Sequence, residues 1–276
     1  MIFFSHIPNR FKDWGLSLWA VACGGIAAGI WPLSPQEGLR LLLTLLLVGV
    51  GWGRFWHFLA TTDWATPLRR WRTWSLGESG PVPPYTRPGS PAHRLARWLG
   101  QLTSWGKMVF LPAVGPALGT AAVGLITVLI LAAALGESMV LLALGGVALA
   151  QLALVWNGGK GSVGAGWHAL MGVGFPWLAG HLALAPLSLA SAILTVAFSL
   201  AAFGKSQAPE QSGLAAWIGG YLAAIVLFLI NGRPLVVPYL ALLMLLPLLV
   251  STSHPMGWKP RAFWLVGGML LAAVAL

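Results

Sequence analysis

The stretch MVFLPAVGPALGTAAVGLITVLILAAA, residues 108–134, carries no charged side chain. About 20 such residues wound as an α-helix cross the ~30 Å hydrocarbon layer of a bilayer. Working outward from it, comparable apolar stretches cover 15–33, 38–60, 138–156, 161–182, 184–204, 213–231, 233–251 and 261–276. The acidic residues Asp13, Glu37, Asp63, Glu78, Glu137 and Glu210 all fall in connections or at the ends of these stretches. The fold class is therefore all-α, a polytopic transmembrane helix bundle of about nine spans that forms a single domain over 1–276. The breaks between spans carry turn formers: Pro32–Leu33–Ser34–Pro35, Gly136–Glu137–Ser138, Asn157–Gly158–Gly159 and Asn231–Gly232–Arg233–Pro234. Ala185 and Pro186 mark a short turn between the fifth and sixth spans, which without it read as one helix.

Composition excludes a soluble globular domain, since 58% of residues are hydrophobic and 8% are charged. Sixteen Lys and Arg against six acids leave a formal charge of +10. These cations sit in loops beside apolar helices, so anionic lipid headgroups fit them better than nucleic acid. Cys23 stands alone and makes no intramolecular disulfide. The opening MIFFSHIPNRFKDWG lacks the order of a signal peptide, so the first helix is expected to stay as its own anchor.

Basic residues orient the bundle. With the N-terminus inside, the cytoplasmic loops carry Arg10, Lys12, seven basic residues of 61–107, Lys160, Lys205, Lys259 and Arg261; the far side keeps Arg40 and Arg233. That asymmetry predicts N-in, C-out in a bacterial inner membrane. Trp14, Trp56, Trp64, Trp71, Trp74, Trp98, Trp105, Trp156, Trp217, Trp258 and Trp264 fall at the same boundary, where indoles anchor proteins or, alternatively, stack on pigments.

The connection 61–107 is long and patterned. Ser90 followed by Pro91 predicts a capped helix start. Leu95, Trp98, Leu99, Leu102 and Trp105 then recur on one face, opposite His93, Arg94, Arg97, Gln101 and Lys107. This pattern predicts an interfacial amphipathic helix anchored by Trp98, Trp105, Arg94 and Arg97, or a cover over a cavity mouth. Pro81–Tyr85 is expected to be an extended spacer. Close helix packing is expected at Gly25 and Gly29, Gly49 and Gly53, and Gly115 and Gly119, with the doublets Gly145–Gly146, Gly219–Gly220 and Gly267–Gly268 as further thin points. Pro176 and Pro247 should kink their helices.

Groups able to do chemistry are few. Arg54 and His57 lie three apart near the end of the second span and could hold a diphosphate or carboxylate; Arg54 could equally snorkel to headgroups. His57, His168 and His181 are potential ligands for a metal or a chlorin magnesium, or simply bridge helices by hydrogen bonds. The stretch NGGKGSVG, 157–164, fails as a phosphate loop because Gly161 separates Lys160 from Ser162 and no strand precedes it. The candidate ligand-binding set is thus Arg54, His57, Asp63, His168, Lys160 and Lys205, with no metal site and no catalytic residue assigned.

With nine spans, an inside N-terminus and a long loop after the second span, the chain resembles the UbiA superfamily of membrane prenyltransferases. The stretches GVGFPWLAGHLALAPLS (172–188) and ILTVAFSLAAFGKSQAPEQSG (193–213) are similar to that family's fifth and sixth helices. The resemblance implies aspartate-rich motifs after spans two and six, holding Mg²⁺ and a prenyl diphosphate. Here RFWHFLATTDW (54–64) and GKSQAPEQ (204–211) offer only Asp63 and Glu210. The expectation is a non-catalytic relative that binds a lipid, quinone or isoprenoid-tailed pigment, or serves as one of the subunits of a membrane complex. The alternatives are an active prenyltransferase with an atypical site at Arg54, His57 and Asp63, and a lipid or small-molecule transporter.

Overall fold

The computed structural model describes residues 9–29, 32–71, 74, 89–158, 163–207, 211–253 and 261–276, and every regular element among them is helical. α1 is Asn9–Ile26. α2 is Pro35–Thr61 and contains a π turn at Leu47–Trp52; the short α3, Ala65–Arg70, follows. α4 runs unbroken through Pro91–Leu135, with a π turn at Gly106–Phe110, and α5 is Glu137–Trp156. α6, residues 165–184, holds a third π turn at Leu170–Gly174. α7 is Leu189–Ser206, α8 Gln211–Ile230, α9 Val237–Ser253 and α10 Arg261–Ala275.

Local chemistry sets these boundaries. Ser34 and Glu37 form a reciprocal capping box at the start of α2, with bonds of 3.3 and 2.7 Å. Ser90 accepts from the His93 N–H at 3.2 Å, with Pro91 at the first helical position. Ser188 does the same for Ser191, and Ala185 is extended, so the fifth and sixth apolar stretches are two helices. A described helix falls within each of the nine stretches, although the first ends at Ile26 rather than near residue 33. By length and composition, α2, α4, α5, α7 and α8 can cross a membrane, and shorter apolar helices lie at Gly15–Ile26, Pro234–Leu249 and Ala262–Ala275. The chain is a membrane protein on these grounds. α6 is less apolar, carrying His168, Pro176 and His181, and it is buried along most of 171–184. A helix walled in by others has little need of a lipid-facing surface.

α6 divides the interior. Ala169, Val173 and Trp177 face a core shared with α1, α7, α8, α9 and α10. Met171, Phe175, Ala179 and Ala183 face a second core shared with α2, α4 and α5. α1 lies parallel against α6, and the two backbones meet. A Cβ on Gly24 would collide with the Trp177 carbonyl, and one on Gly180 with the Val21 carbonyl. Close approach elsewhere uses Gly51 and Gly124 between α2 and α4, and Gly204 and Gly220 between α7 and α8. Of the expected pairs, Gly25 does lie close to Leu41 of α2 and to Leu184 and the Gly180 carbonyl of α6, whereas Gly29 and Gly119 face open space and Gly49 touches only Leu18. Each of the three doublets does contribute one tight glycine, namely Gly146, Gly220 and Gly268. Spacing by four marks a thin helix face without saying which turn meets a neighbour.

The amphipathic stretch is helical from Pro91 as expected, and differs in its continuation and in Trp105. It runs directly into the spanning part of α4. Gln101 donates to the Trp74 carbonyl at 2.6 Å, and Trp74 donates to Ser104 at 3.2 Å, so the small and polar face packs against the protein. Leu95, Trp98 and Leu99 are left outward, each about half exposed. Arg94 and Arg97 are exposed as well. Trp105 is buried instead, edge-on to Trp71 and tilted over Phe110, so its indole faces the protein rather than a lipid boundary. Trp56 and Trp217, expected at the same boundary, are likewise buried. Pro81–Tyr85 lies outside the described residues.

Overpacking a tight contact costs about 1–3 kcal/mol, and more where backbone blocks the relaxation. Gly180→Ala should therefore lower stability by at least about 3 kcal/mol, while Gly145→Ala, with nothing within 4 Å of its Cβ, should be close to neutral. Thermal unfolding of both variants in detergent checks this, and equal midpoints would contradict the backbone contact.

Candidate functional site

Basic residues and the expected site meet at one end of the bundle. There α2 finishes against the start of α6. Trp56 donates to Nδ1 of His168 at 3.3 Å with the rings edge-on, so that nitrogen acts as an acceptor in a helix–helix link. Arg54 is exposed, and His57 is half-buried with its ring against Phe58. Asp63 is committed locally. One carboxylate oxygen accepts from the N–H groups of Ala65 and Thr66, at 3.1 and 3.0 Å, and the other from the Thr66 hydroxyl at 2.6 Å. The carboxylate thus initiates α3, the local role for which a short acidic side chain is suited. No hydrogen bond or ion pair joins Arg54, His57 and Asp63. Lys205 lies in the last turn of α7. Lys160 and Glu210 lie outside the described residues. Among the described residues no three His, Cys, Asp or Glu gather as a metal set would.

The opposite end holds a hollow that no motif announced. A cavity of about 450 Å³ lies where α1, α6, α8 and α10 end and α7 begins. Its walls include Pro186, Ala190 and Phe228, and its polar groups come from His181, Ser188, Asn231 and Arg233. Arg233 is set by the end of α8. Gly232 adopts φ +67°, its N–H bonds the Leu229 carbonyl at 3.2 Å, and the Arg233 N–H reaches back to Phe228 at 2.9 Å. This is a Schellman ending, and Pro234 prevents the helix from resuming. The guanidinium donates to the Ala275 carbonyl at the end of α10. His181 is 2% exposed, and its Nε2 lies 3.1 Å from the Pro186 carbonyl. Its Nδ1 makes no hydrogen bond of normal geometry, although the Gly24 carbonyl lies close by.

A second concavity, about 330 Å³, runs between α7 and α8 and is lined by Ala192, Ile193, Val196, Ala197, Leu200 and Ala223. These side chains are wholly apolar. The sequence offered His181 as a potential metal or chlorin ligand or a helix-bridging histidine, and Arg233 as a turn residue, without bringing the two together. The usable signal was Arg233 itself, a cation on the side from which cations are nearly absent. Comparison with protein-family models, curated proteins and solved structures returned no match.

The Thr66 hydroxyl, and after it the Thr66 N–H, hold the Asp63 carboxyl below the ordinary carboxylate range, with Ala65 and Arg69 adding less. A carboxyl held low in the fold stabilises at pH above its unfolded value, near 4, and that contribution fades as pH falls through the folded value. Asp63→Ala should thus speed amide exchange at Ala65 and Thr66 roughly fivefold at neutral pH, whereas Asp63→Asn, an equally good cap, should not. Equal acceleration in both variants would mean that charge, rather than capping, is what Asp63 supplies.

Proposed function

We propose that the chain is a non-catalytic multi-pass protein of the bacterial inner membrane, with its basic end in the cytoplasm and a prenyltransferase-like bundle. It binds the tail of a lipid, quinone or isoprenoid-tailed pigment in the groove between α7 and α8. The observation that carries this reading is the groove's lining of six apolar side chains, three of them alanines. Small residues cut a trough into a surface that elsewhere bristles with Leu189, Leu222 and Val226. Hydrocarbon is as apolar as the trough, so a tail gains nothing by leaving water there. Selection rests on fit and dispersion contacts.

The carboxylates support a role without metal-dependent transfer. Ionising an allylic diphosphate through Mg²⁺ calls for several hard oxygen ligands, and both oxygens of Asp63 are engaged in the turn that starts α3. Turnover of a prenyl diphosphate that depends on Mg²⁺ and disappears in Asp63→Asn would overturn that half of the reading.

Tail binding has its own test. Protein purified in mild detergent and examined by native mass spectrometry should retain a tail-bearing lipid. Ala223→Phe, which fills the trough, should reduce the retained lipid at least fivefold, while Leu222→Phe, on the neighbouring exposed position, should not. Wild-type protein that retains no lipid, or equal retention in both variants, would remove the basis for the groove as a binding site.

A further inference from the structure

We infer that the cavity at the end of the bundle opposite the basic loops receives the acidic head, a phosphate or carboxylate, of an amphiphile whose tail lies in the α7–α8 groove. This rests on the groove reading above and assigns the ligand a head and a direction.

The two hollows adjoin along α7. Ala190 lines the cavity, and Ala192 and Ile193 line the groove. Three residues of helix rise only about 4.5 Å, so one molecule can occupy both. At the head end, Arg233 is, among the described residues, the one ionisable side chain besides His181 that lines the cavity, and no described Asp or Glu side chain does. Its backbone lies between a left-handed glycine and a proline, and the exposed guanidinium is tied to the Ala275 carbonyl. Donation to Ala275 occupies part of a guanidinium that carries five N–H donors. Among the described residues Asn231 makes no side-chain hydrogen bond, and Ser188 accepts one bond with its hydroxyl proton left to give. Donors left over beside a tethered cation suit an oxyanion.

The helix ends supply a competing field. Carbonyl ends of α1, α6, α8 and α10 gather here and favour a cation, which by itself explains an arginine at this position. The start of α7 at Ser188 contributes the opposite sign on the facing wall. What the helix ends leave unexplained is the remaining donor surplus and a void of this size. His181 belongs to the same wall, almost wholly buried with one ring nitrogen unbonded.

The test uses the full chain, stripped of lipid in detergent, with thermal unfolding as readout. The probes are phosphatidic acid, a long-chain fatty acid, diacylglycerol and inorganic phosphate. Phosphatidic acid or the fatty acid should raise the midpoint by several degrees, and diacylglycerol and inorganic phosphate should not. Arg233→Gln should weaken the apparent affinity tenfold or more, in line with loss of a charge-assisted hydrogen bond. Because that change also removes the contact to Ala275, Asn231→Leu serves as a second variant, expected to weaken acid binding while leaving the unliganded midpoint in place. A stability loss in Arg233→Gln with the lipid shift intact would make Arg233 a helix cap alone and overturn the head site. Equal shifts from diacylglycerol and phosphatidic acid would do the same while sparing the groove. Inorganic phosphate matching the lipids would overturn the amphiphile in favour of a free anion.

Discussion

α1 and α6 touch backbone to backbone at Gly24 and Gly180, and the rest of the molecule is arranged on the two sides of that pair. Lipid provides no hydrophobic drive between helices, so association has to come from dispersion at the closest reachable distance and from polar links. Two glycines facing each other's carbonyl-bearing turns give that distance. The pair then serves as a shared wall for two separate cores. It also explains why α6 can carry a proline and two histidines. Enclosed on both faces, it answers to its neighbours and not to the bilayer.

Indole N–H groups supply the polar links. Trp52 joins α2 to the Met171 carbonyl of α6, Trp177 joins α6 to Ser191 of α7, Trp217 joins α8 to Met244 of α9, and Trp19 joins α1 to Val266 of α10, all at 3.0–3.1 Å. The first of these has a specific cause. Phe175 bonds Leu170 across a π turn, and the next residue, Pro176, has no N–H to give the carbonyl that follows. Trp52 supplies the missing donor, and its ring stacks on Phe175 at a centroid distance of 3.9 Å. Gly146 of α5 closes over both rings, where a Cβ would lie 2.7 Å from Phe175 and 3.0 Å from Trp52. Irregular backbone, aromatic ring and glycine form one interlocked contact.

Helix positions were legible in the sequence because apolar length and proline, glycine and serine breaks are local properties. The Ser90–Pro91 start and the Ala185–Pro186 break are cases in point. The contacts were not legible, because they depend on which turn of one helix meets which turn of another. The expected Gly25 does lie against α6, but the tightest approach falls one residue earlier, at Gly24. The buried tryptophans misled for a related reason, since indole suits a lipid interface and a helix seam about equally. The cavity is assembled from helix ends far apart in the chain, and its residues are ordinary taken singly. Asp63 shows the reverse case: it was noticed for its charge, and it is occupied in starting a helix.

One consequence of the uninterrupted α4 concerns bilayer thickness. Its 45 residues measure about 68 Å, roughly twice the hydrocarbon layer. The apolar end at Leu135 and the outward-facing Leu95, Trp98 and Leu99 are therefore parts of one continuous helix, with the π turn and Pro116 between them. Wherever the far end is held at its boundary, hydrophobic mismatch sets how deep those side chains lie at the other. A thin membrane leaves them standing in water, and a thick one draws them toward the headgroups. The depth of that end is thus tied to bilayer thickness as well as to packing.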